Sequence, residues 1–92
     1  MSETGVTPRE ARLKRMQMRS WRRGTKEMDL MLGPYADARL ATMSDAQLDL
    51  FDLLLDEYDQ DLYPWTTGQR ACPEEYLELL SDVANFAKTR HG

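Results

Sequence analysis

Apolar residues in the middle of the chain recur at the spacing of one face of an α-helix. They are Leu48, Phe51, Leu54, Leu55 and Tyr58, separated by steps of three, three, one and three residues. A helix with 3.6 residues per turn places such positions on one stripe. Ser44, followed three residues later by Gln47, precedes the run and predicts a capping box at the start of this helix.

A second apolar stripe, nearer the C-terminus, predicts another helix. It comprises Tyr76, Leu77, Leu80, Val83, Ala84 and Ala87. We expect this helix to start at Pro73, because proline is favoured at the first helical position and Glu74 and Glu75 suit the positive end of the helix dipole. Between the two stripes, Asp59 is expected to cap a short helix that ends at Thr67-Gly68.

Two further helices are predicted in the first forty residues. Thr7-Pro8-Arg9-Glu10 has the capping-box pattern, and the helix that it starts runs to about Trp21. Thr25 suits the N-cap of the next helix, whose apolar stripe contains Met28, Met31, Leu32 and Tyr35. Gly33-Pro34 falls inside that stripe. Since proline lacks a backbone donor, we expect a kink or an early stop there, and otherwise an end near Leu40.

These patterns predict an all-α protein, a small bundle of four to five helices. Its 92 residues, 41% of them hydrophobic, suffice for one modest core. We expect a single domain over residues 1–92, with residues 1–7 disordered and the core at about 19–90. No apolar stretch approaches the roughly 20 residues that a membrane span needs.

The chain has few of the residues that enzymes use most often. It contains one cysteine, Cys72, and one histidine, His91. These two cannot form a zinc site of the common Cys/His type, and they leave no histidine for a buried catalytic triad. A single thiol without a secretory signal pattern favours a reducing compartment. The composition therefore favours a binding protein over a stand-alone enzyme.

The charges are unevenly distributed. Residues 1–26 contain eight bases and two acids, whereas residues 27–92 contain four bases and fourteen acids, within a net charge of −4. The basic segment fits either a solvated or protein-facing helix or a nucleic-acid-binding one, with Trp21 available to stack on a base. We favour the solvated or protein-facing interpretation because the chain as a whole is acidic.

One short segment combines charges of both signs around a glycine. Arg22-Arg23-Gly24-Thr25-Lys26-Glu27 joins the first two predicted helices. A glycine at such a junction lets another molecule approach the backbone closely, and Glu27 falls in a first helical turn, where a carboxylate is favoured. A capped helix start with solvated charges is the simpler alternative.

This segment resembles the Arg-Gly-x-x-Glu motif of the succinate dehydrogenase assembly factor 2 family, the SdhE-type flavinylation factors. The motif is Arg23-Gly24-Thr25-Lys26-Glu27. The later stretch from Leu53-Leu54-Leu55-Asp56 through Asp61-Leu62-Tyr63-Pro64-Trp65 is similar to the second signature of that family, a leucine-rich helix that leads into Asp-Leu-Tyr/Phe-x-Trp. The resemblance extends from about Arg19 to Lys88. Thr25 departs from the methionine found in many relatives, and the basic N-terminal extension is longer than in compact ones.

The resemblance implies a five-helix fold and an assembly factor rather than an enzyme. Such proteins bind the flavoprotein subunit of succinate dehydrogenase and, in some bacteria, of fumarate reductase, and they promote covalent attachment of FAD to it. The resemblance places Gly24 and Glu27 at the centre of the activity. Partner-binding residues are then expected at Arg22, Arg23, Gly24, Glu27, Asp61, Tyr63 and Trp65. The role of Asp61, Tyr63 and Trp65 is expected to be structural or interfacial rather than catalytic.

The same resemblance sets our expectations for ligands and location. We expect no cofactor and no metal of its own, since the FAD belongs to the partner flavoprotein. We also expect no nucleic-acid partner, a monomer when free, and a location in the bacterial cytoplasm or, in a eukaryote, the mitochondrial matrix. The alternative is a small helical interaction protein of another class, an antitoxin-like partner or a nucleic-acid-binding regulator.

Overall fold

The computed structural model describes residues 7–91, and every regular element within them is helical. The helices are α1 (Pro8–Trp21), α2 (Lys26–Arg39), α3 (Asp45–Leu55), α4 (Asp59–Thr67) and α5 (Glu74–His91), with a 3₁₀ turn at Leu40–Thr42 after α2. This confirms the predicted all-α bundle. Disorder was expected for residues 1–7. Residues 1–6 lie outside the described residues, and Thr7 is the N-cap of α1.

Side-chain caps start three of the helices as their sequences predict. Thr7 and Ser44 each accept a hydrogen bond from the backbone N–H three residues on, while Glu10 and Gln47 bond back to the cap amides. Thr25 caps α2 by accepting from the N–H of Met28 at 3.4 Å. These local signals satisfy backbone donors that have no partner within the helix.

The early stop considered at Gly33-Pro34 does not occur, because α2 runs unbroken from Lys26 to Arg39. Gly33 is buried against α1, and a Cβ atom there would lie 2.3 Å from the Trp21 ring. The Trp21 indole N–H also donates to Asp37 at 3.1 Å. Proline weakens an isolated helix. Here the contacts of Trp21 with Gly33 and Asp37 lie on either side of Pro34.

Two residues assigned to buried stripes are instead exposed. Tyr58 is 71% exposed because α3 ends at Leu55, so the chain has left the helical register before it reaches this residue. Leu77 is 56% exposed, while its neighbours Tyr76, Leu80 and Val83 define the buried face of α5. The apolar stripe predicted for α5 therefore wrongly included Leu77 in the buried face.

The core draws on every helix and lies at the centre of the bundle. It contains Met16, Met28, Leu32, Tyr35, Ala36, Leu40, Met43, Leu48, Phe51, Leu54, Leu55, Leu62, Tyr76, Leu80 and Val83. Met16, upstream of the expected core boundary at residue 19, is only 2% exposed. No helix in the described part of the chain is both long enough and apolar enough to cross a membrane.

The basic residues of α1 pair with acids along α3. Arg9 contacts Asp45 at 3.1 Å and Arg12 contacts Asp49 at 2.7 Å. Arg19 reaches two acids, Asp52 at 2.6 Å and Asp56 at 2.7 Å. Three of the eight bases of the N-terminal segment therefore pair with this protein's own acids.

Candidate functional site

The Arg-Gly-x-x-Glu segment forms one wall of a surface groove of about 690 Å³. This wall consists of residues 22–25 and Glu27, and the opposite wall consists of residues 57–60, Tyr63 and Pro64. The loop from α1 to α2 therefore faces the α3–α4 link and the first turns of α4. We call this surface the Gly24 groove.

The side chain of Arg23 points into the protein and ties the two walls together. Its Nε donates to Asp59 Oδ1 at 2.8 Å, and its two terminal nitrogens donate to the carbonyls of Leu55 and Glu57, each at 2.6 Å. The side chain is 9% exposed. Carbonyls at a helix C-terminus lack partners within the helix, so Arg23 completes the end of α3.

Asp59 binds the loop rather than its own helix. Its Oδ2 accepts the backbone N–H of Gly24 at 2.7 Å and of Thr25 at 3.1 Å. The cap position of α4 is occupied by Tyr58, which makes no side-chain capping bond. The prediction that Asp59 caps α4 is therefore wrong, because its carboxylate is used by the loop that lies across the groove.

Asp59 is not among the site residues predicted from the sequence. It lies within residues 53–65, the stretch similar to the second family signature, but the prediction names only Asp61, Tyr63 and Trp65 there. In the sequence, 35 residues separate Asp59 from Gly24. Nothing local in the sequence indicates that the two meet.

Gly24 is exposed on the groove, and nothing inside the protein requires a glycine there. A Cβ atom would meet only Asp59 Oδ2 at 3.5 Å, an ordinary van der Waals distance. Gly68 is the only glycine with positive φ among the described residues, so the backbone at Gly24 is open to other amino acids. Nothing in the described part of the chain therefore accounts for glycine at this position.

Arg22 and Glu27 place opposite charges on the same wall of the groove. Both are exposed, and the structure gives neither side chain an ion pair or hydrogen bond with the residues it describes. Glu27 lies in the first turn of α2, where the helix dipole favours a carboxylate. Both side chains can therefore bind groups on another molecule without first breaking an internal contact.

Two tyrosines give the opposite wall an aromatic character. Tyr58 is 71% exposed and Tyr63 is 38% exposed, and Pro64 lies beside them on the groove. Exposed aromatic side chains of this kind are enriched at protein–protein contacts, because they bury a large area with few rotatable bonds. Tyr63 is a predicted site residue, whereas Tyr58 was expected in the core.

Asp61 and Trp65 lie outside the groove lining and instead contact α5 and the connection after α4. Asp61 forms an ion pair with Arg70 at 2.6 Å, and the Arg70 guanidinium lies 5.6 Å from the centre of the Trp65 ring. The Trp65 ring in turn packs on Tyr76 at 6.2 Å between centroids. Of the last five residues of the second signature, Asp61–Trp65, only Tyr63 and Pro64 line the groove.

A hydrogen bond from α5 supports the groove from behind. The Tyr76 hydroxyl donates to the Glu57 carboxylate at 2.9 Å. Burial, followed by this hydrogen bond, raises the pKa of Tyr76 to about 12. Glu57 is thereby held through its side chain by α5 and through its carbonyl by Arg23.

This arrangement defines a small helical binding protein. The groove is an open surface that presents the charged side chains of Arg22 and Glu27, neither of which is paired with a described residue, together with two aromatic rings. Such groups can bind another macromolecule. Among the described residues, no three side chains of His, Cys, Asp or Glu are grouped so as to hold a metal ion.

Comparison with known proteins identifies the family. The family model described as "Flavinator of succinate dehydrogenase" (Sdh5) matches residues 14–87, and the chain therefore belongs to this family. Similar proteins include the mitochondrial succinate dehydrogenase assembly factor 2 of Mycosarcoma maydis, 40% identical over 78 residues that cover 85% of this chain and 33% of the relative. The resemblance drawn from the two sequence signatures is confirmed.

Proteins of the same name in two other organisms are comparably similar. That of Schizosaccharomyces pombe is 37% identical over 86 residues, covering 91% of this chain and 62% of the relative. That of Danio rerio is 36% identical over 80 residues, covering 84% of this chain and 51% of the relative. The chain thus spans less than two thirds of the length of these relatives.

Proposed function

We propose that this protein binds the flavoprotein subunit of succinate dehydrogenase and promotes the covalent attachment of FAD to it. Membership of the flavinator family supports this proposal, and so do the names of the relatives. The observation that carries it in this chain is Gly24, an exposed glycine that neither the backbone nor the packing requires. A partner surface that lies close against the loop would explain why residue 24 is a glycine.

In this proposal the protein acts by positioning and is not itself the catalyst. FAD is the cofactor of the partner, which also supplies the histidine that becomes attached to it. Binding at the Gly24 groove stabilises the flavoprotein conformation in which that histidine and the flavin are aligned. The protein needs no cofactor or metal of its own for this role.

The contacts we propose follow from which groove residues are available. Gly24 permits close approach, Glu27 accepts hydrogen bonds from partner donors, and Arg22 pairs with partner acids. Tyr63 contributes apolar area beside them. Arg23 was expected to meet the partner directly, but its three internal hydrogen bonds favour a supporting role.

Asp61 and Trp65 also have a supporting role in this proposal, because Asp61 pairs with Arg70 in the connection after α4 and Trp65 packs on Tyr76 of α5. We extend the proposal to a flavoprotein of fumarate reductase as a second partner, to a monomeric free state, and to a location in the bacterial cytoplasm or the mitochondrial matrix. The names of the relatives include "mitochondrial", which supports the matrix for a eukaryotic source.

Titration calorimetry with the purified flavoprotein subunit tests the proposed contact. Gly24→Arg should abolish binding with helicity unchanged, because the new side chain extends from an exposed position into the groove. Gly24→Ala is the matched control for the fold and should weaken binding less. Glu27→Ala should lower the flavinylation rate more than it lowers affinity.

Two results would contradict the proposal. One is binding by Gly24→Arg with an affinity equal to that of the original protein. The other is loss of helical circular dichroism in Gly24→Arg, which would give Gly24 a role in the fold instead. An equal fall of affinity and flavinylation rate in Glu27→Ala would make this residue an anchor only.

A further inference from the structure

We propose that Asp59 is a positioning residue, which with Arg23 clamps the loop of residues 22–25 so that Gly24 and Glu27 are presented to the partner in a fixed geometry. This inference rests on the proposed function and assigns a role to a residue that is not among the predicted site residues. The hydrogen bonds between the two walls of the Gly24 groove support it.

Three successive backbone N–H groups of the loop are each held by a carboxylate. The N–H of Arg23 donates to Asp29, and those of Gly24 and Thr25 donate to the same oxygen of Asp59. The loop has no regular secondary structure that would otherwise supply acceptors. Its backbone conformation is therefore set by two acidic side chains rather than by a helix or a tight turn.

The clamp is reciprocal, since each wall extends one side chain to the other. Arg23 reaches from the loop to the end of α3, and Asp59 reaches from the start of α4 to the loop. The two side chains also pair with each other at 2.8 Å, and they are only 9% and 10% exposed. Charge-assisted hydrogen bonds in such a shielded place are stronger and less screened than surface pairs.

The consequence for the partner surface follows from chain connectivity. Thr25, whose N–H and hydroxyl both contact Asp59, is the N-cap of α2. Asp59 therefore fixes where α2 begins, and with it the position of Glu27 two residues later. Asp59 is also the first residue of α4, the helix that carries Tyr63. The Asp59 carboxylate therefore fixes the position of one groove wall relative to the other.

A clamp of this kind lowers the cost of binding. A loop that is already ordered loses little conformational freedom when a partner binds to it, whereas a released loop must be ordered at that moment. Removing Asp59 should therefore weaken binding even though Asp59 need not touch the partner. It should also release the amides of Gly24 and Thr25 to solvent.

The test combines amide hydrogen exchange by NMR with calorimetric affinity for the flavoprotein subunit. Asp59→Ala should speed the exchange of the Gly24 and Thr25 amides by at least about tenfold and weaken binding by roughly tenfold or more. Asp59→Asn keeps an acceptor oxygen for the loop but turns an amide N–H₂ towards Arg23. Its effects should be intermediate.

Two control variants separate this role from general destabilisation. Asp52→Asn removes a partner of Arg19 elsewhere in the protein and should leave both the loop exchange and the affinity unchanged. Val83→Ala truncates a fully buried side chain of α5 and should lower Tm without weakening binding, at a temperature where the protein stays folded. A merely structural role for Asp59 would make its variants behave like Val83→Ala.

The outcomes distinguish this inference from the proposed function. Failure of the original protein to bind the flavoprotein would refute the proposed function and the inference that rests on it. Binding by the original protein with undiminished affinity in Asp59→Ala would refute the clamp alone. Protected Gly24 and Thr25 amides in Asp59→Ala would refute it as well.

Discussion

Gly33 and Gly24 show how one residue type serves two needs in the same chain. At Gly33 the space of the missing side chain is filled by the Trp21 ring, 2.3 Å from where a Cβ atom would lie. At Gly24 that space opens on the groove. The sequence marks both positions as glycine, but only the packing of α1 on α2 tells them apart.

Replacing Gly33 with alanine should destabilise the fold. Alanine would favour the helix by up to about 1 kcal/mol, but the ring of Trp21 must move, and overpacking of this kind costs about 1–3 kcal/mol. We expect a net loss in the free energy of unfolding, measured by urea denaturation. Gly24→Ala is the comparison variant and should stay within about 0.5 kcal/mol of the original. Equal stability of Gly33→Ala and Gly24→Ala would contradict the packing argument.

Helix starts are the elements that the sequence predicts best. Thr7, Thr25 and Ser44 cap their helices as expected, because a capping signal and its target lie within three residues of each other. Predictions at Gly33-Pro34 and Asp59 were incomplete or wrong for the opposite reason. Their partners, Trp21 and the loop at Gly24, are distant in sequence, and local pattern carries no information about them.

The uneven charge distribution of the chain is partly explained by the contact between two helices, α1 and α3. The bases of α1 face the acids of α3 through Arg9, Arg12 and Arg19. The sequence predicts both charged segments but not that they pair with each other. This pairing gives three of the bases in the segment a structural role within the protein.

Neutralising the three paired arginines should lower stability in a salt-dependent way. Exposed ion pairs contribute modestly to stability, so the triple variant Arg9→Gln, Arg12→Gln, Arg19→Gln should unfold at a lower urea concentration than the original protein. The loss should shrink at about 1 M NaCl, where exposed charges are screened. Arg15→Gln, on the same helix but without an ion pair to the described residues, is the control. A loss independent of salt would mean that packing, not charge, joins α1 to α3.

At the scale of the whole molecule, two buried tyrosines connect α5 to the rest of the bundle. Tyr35 donates to Asp82 at 2.7 Å, and Tyr76 donates to Glu57 at 2.9 Å. Burial is the larger cause in each case, and the bonded carboxylate adds to it, so that both pKa values are raised. The folded state thus favours neutral hydroxyls at the positions where α5 meets α2 and the Gly24 groove.

These shifts predict that stability declines at alkaline pH. An unfolded tyrosine ionises near pH 10, whereas the pKa of Tyr76 in the folded protein is about 12. The stabilisation is therefore fully present below pH 10 and is lost progressively between 10 and 12. Urea denaturation at several pH values should show a shallower decline for Tyr76→Phe than for the original protein. Parallel curves would contradict the raised pKa.

The central claim is that this protein promotes covalent flavinylation through the surface around Gly24. The most direct measurement is the flavin fluorescence of the succinate dehydrogenase flavoprotein on a denaturing gel, from cells with and without this protein. Flavin that remains with the denatured chain is covalently attached. We predict that the signal is lost without the protein, returns with the original protein, and does not return with Gly24→Arg. An unchanged signal in cells that lack the protein would contradict the account.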